Sequence, residues 1–169
     1  MGNGNSNDTS NLDATFLRGI QPADADGTSV FKTIFPGHYS GRTTHIHTMA
    51  HTNATIFPNG TIRNTIASHS GQMFIDQDLI YEVEALSPYT ANSQVLTLNS
   101  RDDILATAAN GSDPMMEWVY LGEDVSDGIF AWLAFGVNQS YVRDVSAAAF
   151  LYEEGGVTNP KSSFPPPPA

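Results

Sequence analysis

The chain has 169 residues, of which 40% are hydrophobic, and it carries a net charge of −11 from 18 acidic and 7 basic residues. That length predicts one domain with one sizeable core, and the acidic surface would repel a phosphate backbone, which argues against nucleic acid as a partner. Cysteine is absent, so disulfides, thiolate metal sites and a cysteine nucleophile are excluded, and no apolar run is long enough to predict a membrane span.

The first half of the chain predicts strands. Residues 1–13 are rich in Gly, Asn and Ser and predict a flexible lead-in. An Asp-Gly turn and a β-branched, aromatic run in DADGTSVFKTIFP (24–36) predict a strand that Pro36 ends. A further strand is predicted within TTHIHTMAHTNATIF (43–57), and Asn59-Gly60 predicts a hairpin.

The second half predicts two short helices between strands. After a strand at SGQMFI (70–75), Asp76 is placed to cap a helix that carries Leu79, Ile80 and Val83 on one side. A second helix is predicted in RDDILATAAN (101–110). Strands are predicted at MEWVYLG (116–122) and DGIFAWLAFGVN (127–138). In the second stretch, the side chains on both alternating faces are apolar, which predicts a central strand covered on both faces. Trp118 and Trp132 are predicted to lie in the core.

Short strands separated by Gly, Pro and Asn predict an all-β fold, a β-sandwich with one or two short helices. The predicted sandwich domain covers residues 14–155. Residues 156–169 end in SSFPPPPA and predict a Pro-rich disordered tail.

Asn-x-Ser/Thr sequons indicate a protein that passes through the secretory pathway. They are candidate glycosylation sites at Asn7, Asn53, Asn59, Asn110 and Asn138. Several coincide with predicted turns, where a glycan is tolerated, so we expect an extracellular location although the chain itself shows no signal peptide.

A His-x-His pair suggests a metal site. On a strand, His45 and His47 project from the same face roughly 6.5–7 Å apart, close enough to bind one ion between them. Two other readings stay open: a hydrogen-bonded polar pair, or a three-histidine zinc site completed by His51, which has the same parity and would support hydrolysis. His38 and His69 are expected to be loop or outer-sphere groups.

Tyr39 favours ferric iron over zinc. A phenol with a pKa near 10 ionises at neutral pH only beside a strong positive charge, and a ferric ion supplies one while preferring anionic oxygen ligands. Gly37 and Gly41 allow the backbone around Tyr39 to turn toward the histidines.

The segment TIFPGHYSGRTTHIH (33–47) resembles the signature of the intradiol ring-cleavage dioxygenases, above all their fungal extracellular members. The similarity extends through TFLRGIQPADADG (15–27) and HSGQMFIDQDL (69–79) and is weaker beyond about residue 90. The resemblance implies a non-haem Fe(III) enzyme that uses O2 to open catechol-type aromatic diols to muconate-type dicarboxylic acids.

The resemblance also implies roles for individual residues. Tyr39, His45 and His47 would bind iron, and Tyr39 would leave when substrate chelates. Arg42 would stabilise negative charge that develops on the substrate. Gln72 would lie near the substrate and oxygen pocket.

The chain departs from the family in one ligand. The family uses two tyrosines, and the first would fall at or before Met1, since no tyrosine precedes Tyr39. We expect an N-terminally truncated member with impaired activity, or a natural variant that lost a ligand. The alternative from another class is a secreted β-sandwich that binds metal or phenolic compounds without turnover.

Overall fold

The strands and helices of the chain are short. The computed structural model describes residues 12–64 and 66–160, and within them it contains ten strands, two α-helices and three 3₁₀ turns. The strands are β1 His45–Ala50, β2 Thr55–Ile56, β3 Ile62–Arg63, β4 Ile66–Ala67, β5 His69–Phe74, β6 Glu117–Tyr120, β7 Ile129–Trp132, β8 Arg143–Asp144, β9 Ala149–Tyr152 and β10 Gly155–Thr158. The helices are α1 Gln77–Glu84 and α2 Asp103–Ala108, and the 3₁₀ turns span Tyr89–Ala91, Asn99–Arg101 and Val125–Asp127.

The strands pair two at a time. β1 pairs with β5, and the antiparallel pairs are β2 with β3, β4 with β8, β6 with β7, and β9 with β10. In the loop between β2 and β3, the Phe57 N–H donates to the Thr61 carbonyl at 2.9 Å, and Gly60 has a φ of 79°, which favours glycine. The hairpin predicted at Asn59-Gly60 is therefore confirmed.

The chain divides into two compact units. One is built from the segments up to Ile34, Ala50–Ser68 and from Gln139 onward, and the other from Phe35–Met49 and His69–Asn138. The second unit contains both helices and the predicted metal- and substrate-binding residues. The predicted domain bounds of residues 14–155 stay a prediction.

Helix α1 organises the core of the second unit. The Asp76 carboxylate accepts hydrogen bonds from the backbone N–H groups of Asp78 and Leu79, which satisfies donors that a helix start leaves without an intrahelical partner. Leu79, Ile80 and Val83 are buried on one side and form the core cluster with Ile75. The predicted cap, helix and apolar face are confirmed.

The β6–β7 hairpin covers this core with one face only. Trp118 and Ile129 pack against the cluster, whereas Phe130 and Trp132 on the opposite face are 52% and 39% exposed. The prediction of a central strand covered on both faces is therefore wrong, as is the core position of Trp132. An apolar pattern on both faces does not create a second covering layer, and among the described residues β7 pairs with β6 alone.

The segment after the first turn is irregular. Asp24 accepts hydrogen bonds from the backbone N–H groups of Asp26 and Thr28, so the predicted Asp-Gly turn is confirmed. Residues 28–36 form no strand, and Val30 is 72% exposed, so the predicted strand is wrong. β-branched residues favour extended backbone, but a strand also needs a neighbouring backbone to bond with.

Both predicted terminal segments fall partly outside the described residues. Of the lead-in, residues 1–11 lie outside them, while the Asp13 carboxylate accepts a hydrogen bond from the Gly156 N–H at 2.6 Å. Of the tail, residues 161–169 lie outside them, and β10 occupies its first positions. In residues 12–64 and 66–160, no helix has the length and apolarity that crossing a bilayer requires.

Candidate metal centre

The rings of His45 and His47 converge at the start of β1. Their Nε2 atoms lie 3.2 Å apart, and their ring centroids are 4.9 Å apart. Two imidazole nitrogens that bind one ion at about 2.0–2.1 Å are separated by roughly 2.9–3.4 Å when they occupy neighbouring coordination positions. The observed separation fits two ligands on a single metal ion, and it is also a hydrogen-bonding distance, as the interpretation of a polar pair expects.

Hydrogen bonding orients the His45 ring and sets its tautomer. Its Nδ1 lies 2.6 Å from the Thr43 carbonyl oxygen, which only accepts, so Nδ1 carries the proton and donates. Nε2 is then the unprotonated nitrogen. A backbone carbonyl on the second nitrogen is the arrangement that fixes the tautomer of metal-binding histidines.

The surroundings keep both imidazoles neutral. The pKa of His45 is lowered, chiefly because burial disfavours the imidazolium, with the positive charge of Arg42 acting in the same direction. The pKa of His47 is lowered for the same two reasons, in the same order. Neutral imidazole is the form in which histidine binds a metal ion.

A tight turn brings Tyr39 beside the histidines. Tyr39 and Arg42 form an antiparallel bridge, with the Arg42 N–H donating to the Tyr39 carbonyl at 3.4 Å, and Gly41 between them has a φ of 89° that favours glycine. The Tyr39 ring centroid lies 5.9 Å from that of His45. A phenol and two imidazoles, the ligand set that the resemblance implies for ferric iron, are thus gathered in one place.

Arg42 is fixed between two side chains. Its Nε donates to the Asp102 carboxylate at 2.8 Å, and its Nη2 donates to the Gln72 side-chain carbonyl at 2.5 Å. Gln72 lies on β5, the strand that pairs with β1. The two predicted substrate-binding residues are therefore in direct contact.

Asp102 is a site residue that the sequence reasoning missed. Its carboxylate is fully buried and accepts hydrogen bonds from Arg42 and from the Thr43 N–H, as well as from the first turn of α2. Burial alone would raise its pKa, but the hydrogen bonds from Leu105, Arg42 and Thr43 and the charge of Arg42 outweigh burial and lower it. The sequence RDDILATAAN (101–110) predicts only a helix, and it carries no signal for the contact with Arg42.

His38 anchors the turn that carries Tyr39. It is buried, with Nδ1 2.7 Å from a Glu84 carboxylate oxygen and Nε2 2.9 Å from the Gln94 carbonyl. The Ser40 N–H donates to the Gln94 side chain, and the Gly41 N–H donates to the Thr97 hydroxyl. The Tyr39 turn is therefore held against the end of α1 and the segment that follows it.

The other histidines have separate surroundings. Nδ1 of His51 lies 2.8 Å from the Ile66 carbonyl, and the His69 ring stacks on Phe135 with centroids 4.6 Å apart. Across residues 12–64 and 66–160, no group of three or more His, Cys, Asp or Glu side chains is arranged to hold a metal ion. The three-histidine zinc site therefore has no counterpart in the described structure.

The sequons within the described residues are exposed. Each lies in a turn or an irregular segment: Asn53, Asn59, Asn110 and Asn138. Asn7 lies outside the described residues. Glycosylation of these asparagines stays a prediction.

Solved structures similar to this chain are dioxygenases. No protein-family model and no curated protein matches the sequence. An intradiol ring-cleavage dioxygenase from Tetranychus urticae superimposes with a TM-score of 0.56 at 29% identity, over 70% of this chain and 52% of that one. A second dioxygenase crystal structure gives a TM-score of 0.50 at 29% identity, over 66% of this chain and 47% of that one.

These similarities fix the fold class and support the family suggested by residues 33–47. The predicted all-β fold, a sandwich of the intradiol dioxygenase type with two short helices, is confirmed. The chain spans about half the length of the dioxygenase structures that it matches. The fungal extracellular origin and the amino-terminal truncation stay predictions.

Proposed function

We propose that the chain carries an iron(III) centre formed by Tyr39, His45 and His47 that cleaves catechol-type rings with O2. The observation that carries the proposal is the convergence of the two Nε2 atoms, 3.2 Å apart, beside the Tyr39 ring. The similarity to intradiol dioxygenases supports it, because the matched segment includes roughly two thirds of this chain. Ferric iron, when bound, would act as a Lewis acid that activates a catecholate toward O2.

Tyr39 would accept a proton from the substrate in this reaction. A catechol must lose its hydroxyl protons to chelate as a dianion, and the oxygen of Tyr39, whose ring lies beside that of His45, would be a base once bound to iron as the phenolate. On leaving the metal position, that oxygen would accept one substrate proton. The turn around Gly41 would hold the backbone of Tyr39 in place while its side chain moves.

Arg42 would stabilise charge on the substrate. Its guanidinium is permanently cationic and is held from two sides by Asp102 and Gln72, so it needs little reorganisation when negative charge develops on a substrate oxygen. The neutral state of His45 and His47 leaves this guanidinium as the cationic side chain next to the imidazole pair.

The overall reaction needs no external reductant. The carbon–carbon bond between the two hydroxyl-bearing carbons breaks, and both atoms of O2 enter the product. Catechol plus O2 has the composition of the ring-opened muconate-type diacid. We further propose that the protein acts outside the cell, because the asparagines of the described sequons are exposed.

Iron loading followed by turnover tests the proposal. Purified protein is titrated with Fe(III), the visible phenolate-to-iron charge-transfer band is recorded, and catechol with O2 is then assayed for the ring-opened diacid. The proposal predicts the band, one iron per chain and product. His51→Gln serves as a matched control, because His51 bonds to the Ile66 carbonyl instead of joining the pair.

Binding without turnover is the second candidate. Two other phenols form hydrogen bonds outside the candidate centre: the Tyr89 hydroxyl donates to the Phe35 carbonyl, and the Tyr120 hydroxyl donates to Glu82. Burial raises the pKa of Tyr89, and the bond to Glu82 raises that of Tyr120, so both phenols keep their protons and neither is prepared to be a second phenolate ligand. A charge-transfer band without ring-opened product would favour this candidate.

A further inference from the structure

The Asp102 carboxylate joins the start of α2 to the candidate centre. One oxygen, Oδ1, accepts hydrogen bonds from the Ile104 and Leu105 N–H groups, each at 2.9 Å. The other, Oδ2, accepts from Arg42 Nε and from the Thr43 N–H, each at 2.8 Å. One buried side chain therefore caps a helix and binds the segment that leads into β1.

The four hydrogen-bond donors to Asp102 form two pairs, one pair on each carboxylate oxygen. Among the described residues, Oδ1 accepts hydrogen bonds only from the first turn of α2, and Oδ2 accepts them only from Arg42 and the Thr43 N–H. An aspartate that only capped α2 would resemble Asp76, whose Oδ1 accepts from two N–H groups of α1. Asp102 makes the same kind of cap and, in addition, two bonds toward the site.

The bonds of Arg42 fix the plane of its guanidinium. Nε donates to Asp102 and Nη2 donates to Gln72. Because the guanidinium is rigid and planar, these two directional hydrogen bonds set its orientation. The Arg42 side chain is 17% exposed and that of Asp102 is fully buried, so water competes weakly for this contact. Gln72 on β5 is half-buried, whereas Asp102 is buried, so the contact with Asp102 is the better shielded of the two.

We infer that Asp102 is a positioning residue, which orients the Arg42 guanidinium toward substrate bound at the candidate centre. The inference rests on the proposed function, since that function gives Arg42 its role. Asp102 itself would contact neither substrate nor metal. It acts through Arg42, and its bond to the Thr43 N–H holds the backbone next to that arginine.

Substitution by asparagine separates the cap of α2 from the contact with Arg42. Asn is as good an N-cap as Asp, so Asp102→Asn keeps an acceptor for the first turn of α2. Its amide group then presents N–H donors where Arg42 Nε and the Thr43 N–H need an acceptor. Asp76→Asn is the matched control, because it makes the same change at the cap of α1 without a contact to Arg42.

The first readout needs neither metal nor activity. In metal-free protein, the ¹⁵N–¹H signal of Arg42 Nε, assigned with Arg42→Lys, reports the hydrogen bond through its exchange with water. Exchange is expected to be slow in the unsubstituted protein and in Asp76→Asn, and at least about 10-fold faster in Asp102→Asn. Equal exchange in all three proteins would overturn the inference.

The second readout uses iron-loaded protein with catechol and O2. Asp102→Asn is expected to lose about 10- to 100-fold in kcat/KM, mainly in kcat, while iron content and the charge-transfer band stay unchanged. Equal kcat/KM for Asp102→Asn and Asp76→Asn would also overturn the positioning role. If the unsubstituted protein forms no product, the proposed function fails, and the exchange measurement alone then decides whether Asp102 positions Arg42.

Discussion

The Nε2 atoms of His45 and His47 lie 3.2 Å apart on side chains two positions apart in β1. Neutral imidazoles at this distance share a point that a single ion can occupy. We predict that His45→Ala and His47→Ala each weaken Fe(III) binding by more than about 100-fold, since loss of a ligand costs more than loss of an outer-sphere partner. Calorimetric titration with iron measures this, with His51→Ala as the control expected to bind normally. Normal binding by both site variants would contradict the ligand assignment.

Tyr39 would supply the visible absorption of the proposed iron centre. Tyr39→Phe is expected to abolish the visible charge-transfer band, because that band requires a phenolate oxygen on iron, while the two histidines still bind the ion more weakly. Absorbance during iron titration measures the change. Tyr89→Phe is the control, since the Tyr89 hydroxyl bonds to the Phe35 carbonyl and not to the site. A band that persists in Tyr39→Phe would assign the phenolate to another tyrosine.

Asp102 makes stability depend on pH on the acid side. Its pKa is lowered in the folded chain, so its contribution is present above the unfolded-state value of about 3.9 and is lost as pH falls through the folded value. The difference in the free energy of unfolding between the unsubstituted protein and Asp102→Asn should therefore be largest near pH 6 and shrink as pH approaches about 3. Urea unfolding at a series of pH values measures it. A difference that stays constant over this range would show that the carboxylate charge is not responsible.

The α1 face supports the unit that carries the site. Leu79 is 1% exposed and belongs to the core cluster, so Leu79→Ala is expected to lower the free energy of unfolding by about 2–5 kcal/mol. Leu86→Ala removes the same atoms two residues beyond the helix, where the side chain is 38% exposed, and should cost less than about 1 kcal/mol. Denaturant titration of both variants measures the difference. Equal losses in the free energy of unfolding for the two variants would contradict the assignment of Leu79 to the core.

Glycosylation tests the proposed extracellular location. Expression through a eukaryotic secretory pathway should add N-glycans at exposed sequons, because an acceptor asparagine must lie in accessible backbone. Mass spectrometry after enzymatic deglycosylation identifies the modified positions among Asn53, Asn59, Asn110 and Asn138. Each Asn→Gln substitution should remove one glycan, whereas secreted protein without any glycan would contradict the prediction.

Local rules predicted the parts of the structure that depend on neighbours in sequence. Asp76 caps α1 because a carboxylate there reaches N–H groups two and three residues ahead. His45 and His47 share a face because side chains alternate along a strand. The hairpin at Asn59-Gly60 follows from a turn that needs a positive φ. None of these depends on the rest of the fold.

The errors and omissions involve contacts between distant segments. Asp102 bonds to Arg42 across 60 positions, and the sequence around it predicts only a short helix. Trp132 was placed in the core because its strand is apolar, yet the covered face of the hairpin carries Trp118. Periodicity predicts which side chains share a face, but it does not predict what covers that face.

The position of iron itself is the most direct test of the centre. Crystals of iron-loaded protein, measured at the iron absorption edge, locate the ion by anomalous scattering. The account predicts a single peak within about 2.0–2.2 Å of Nε2 of His45, Nε2 of His47 and the Tyr39 phenol oxygen. An iron peak that lies away from these three atoms in fully loaded protein would contradict it.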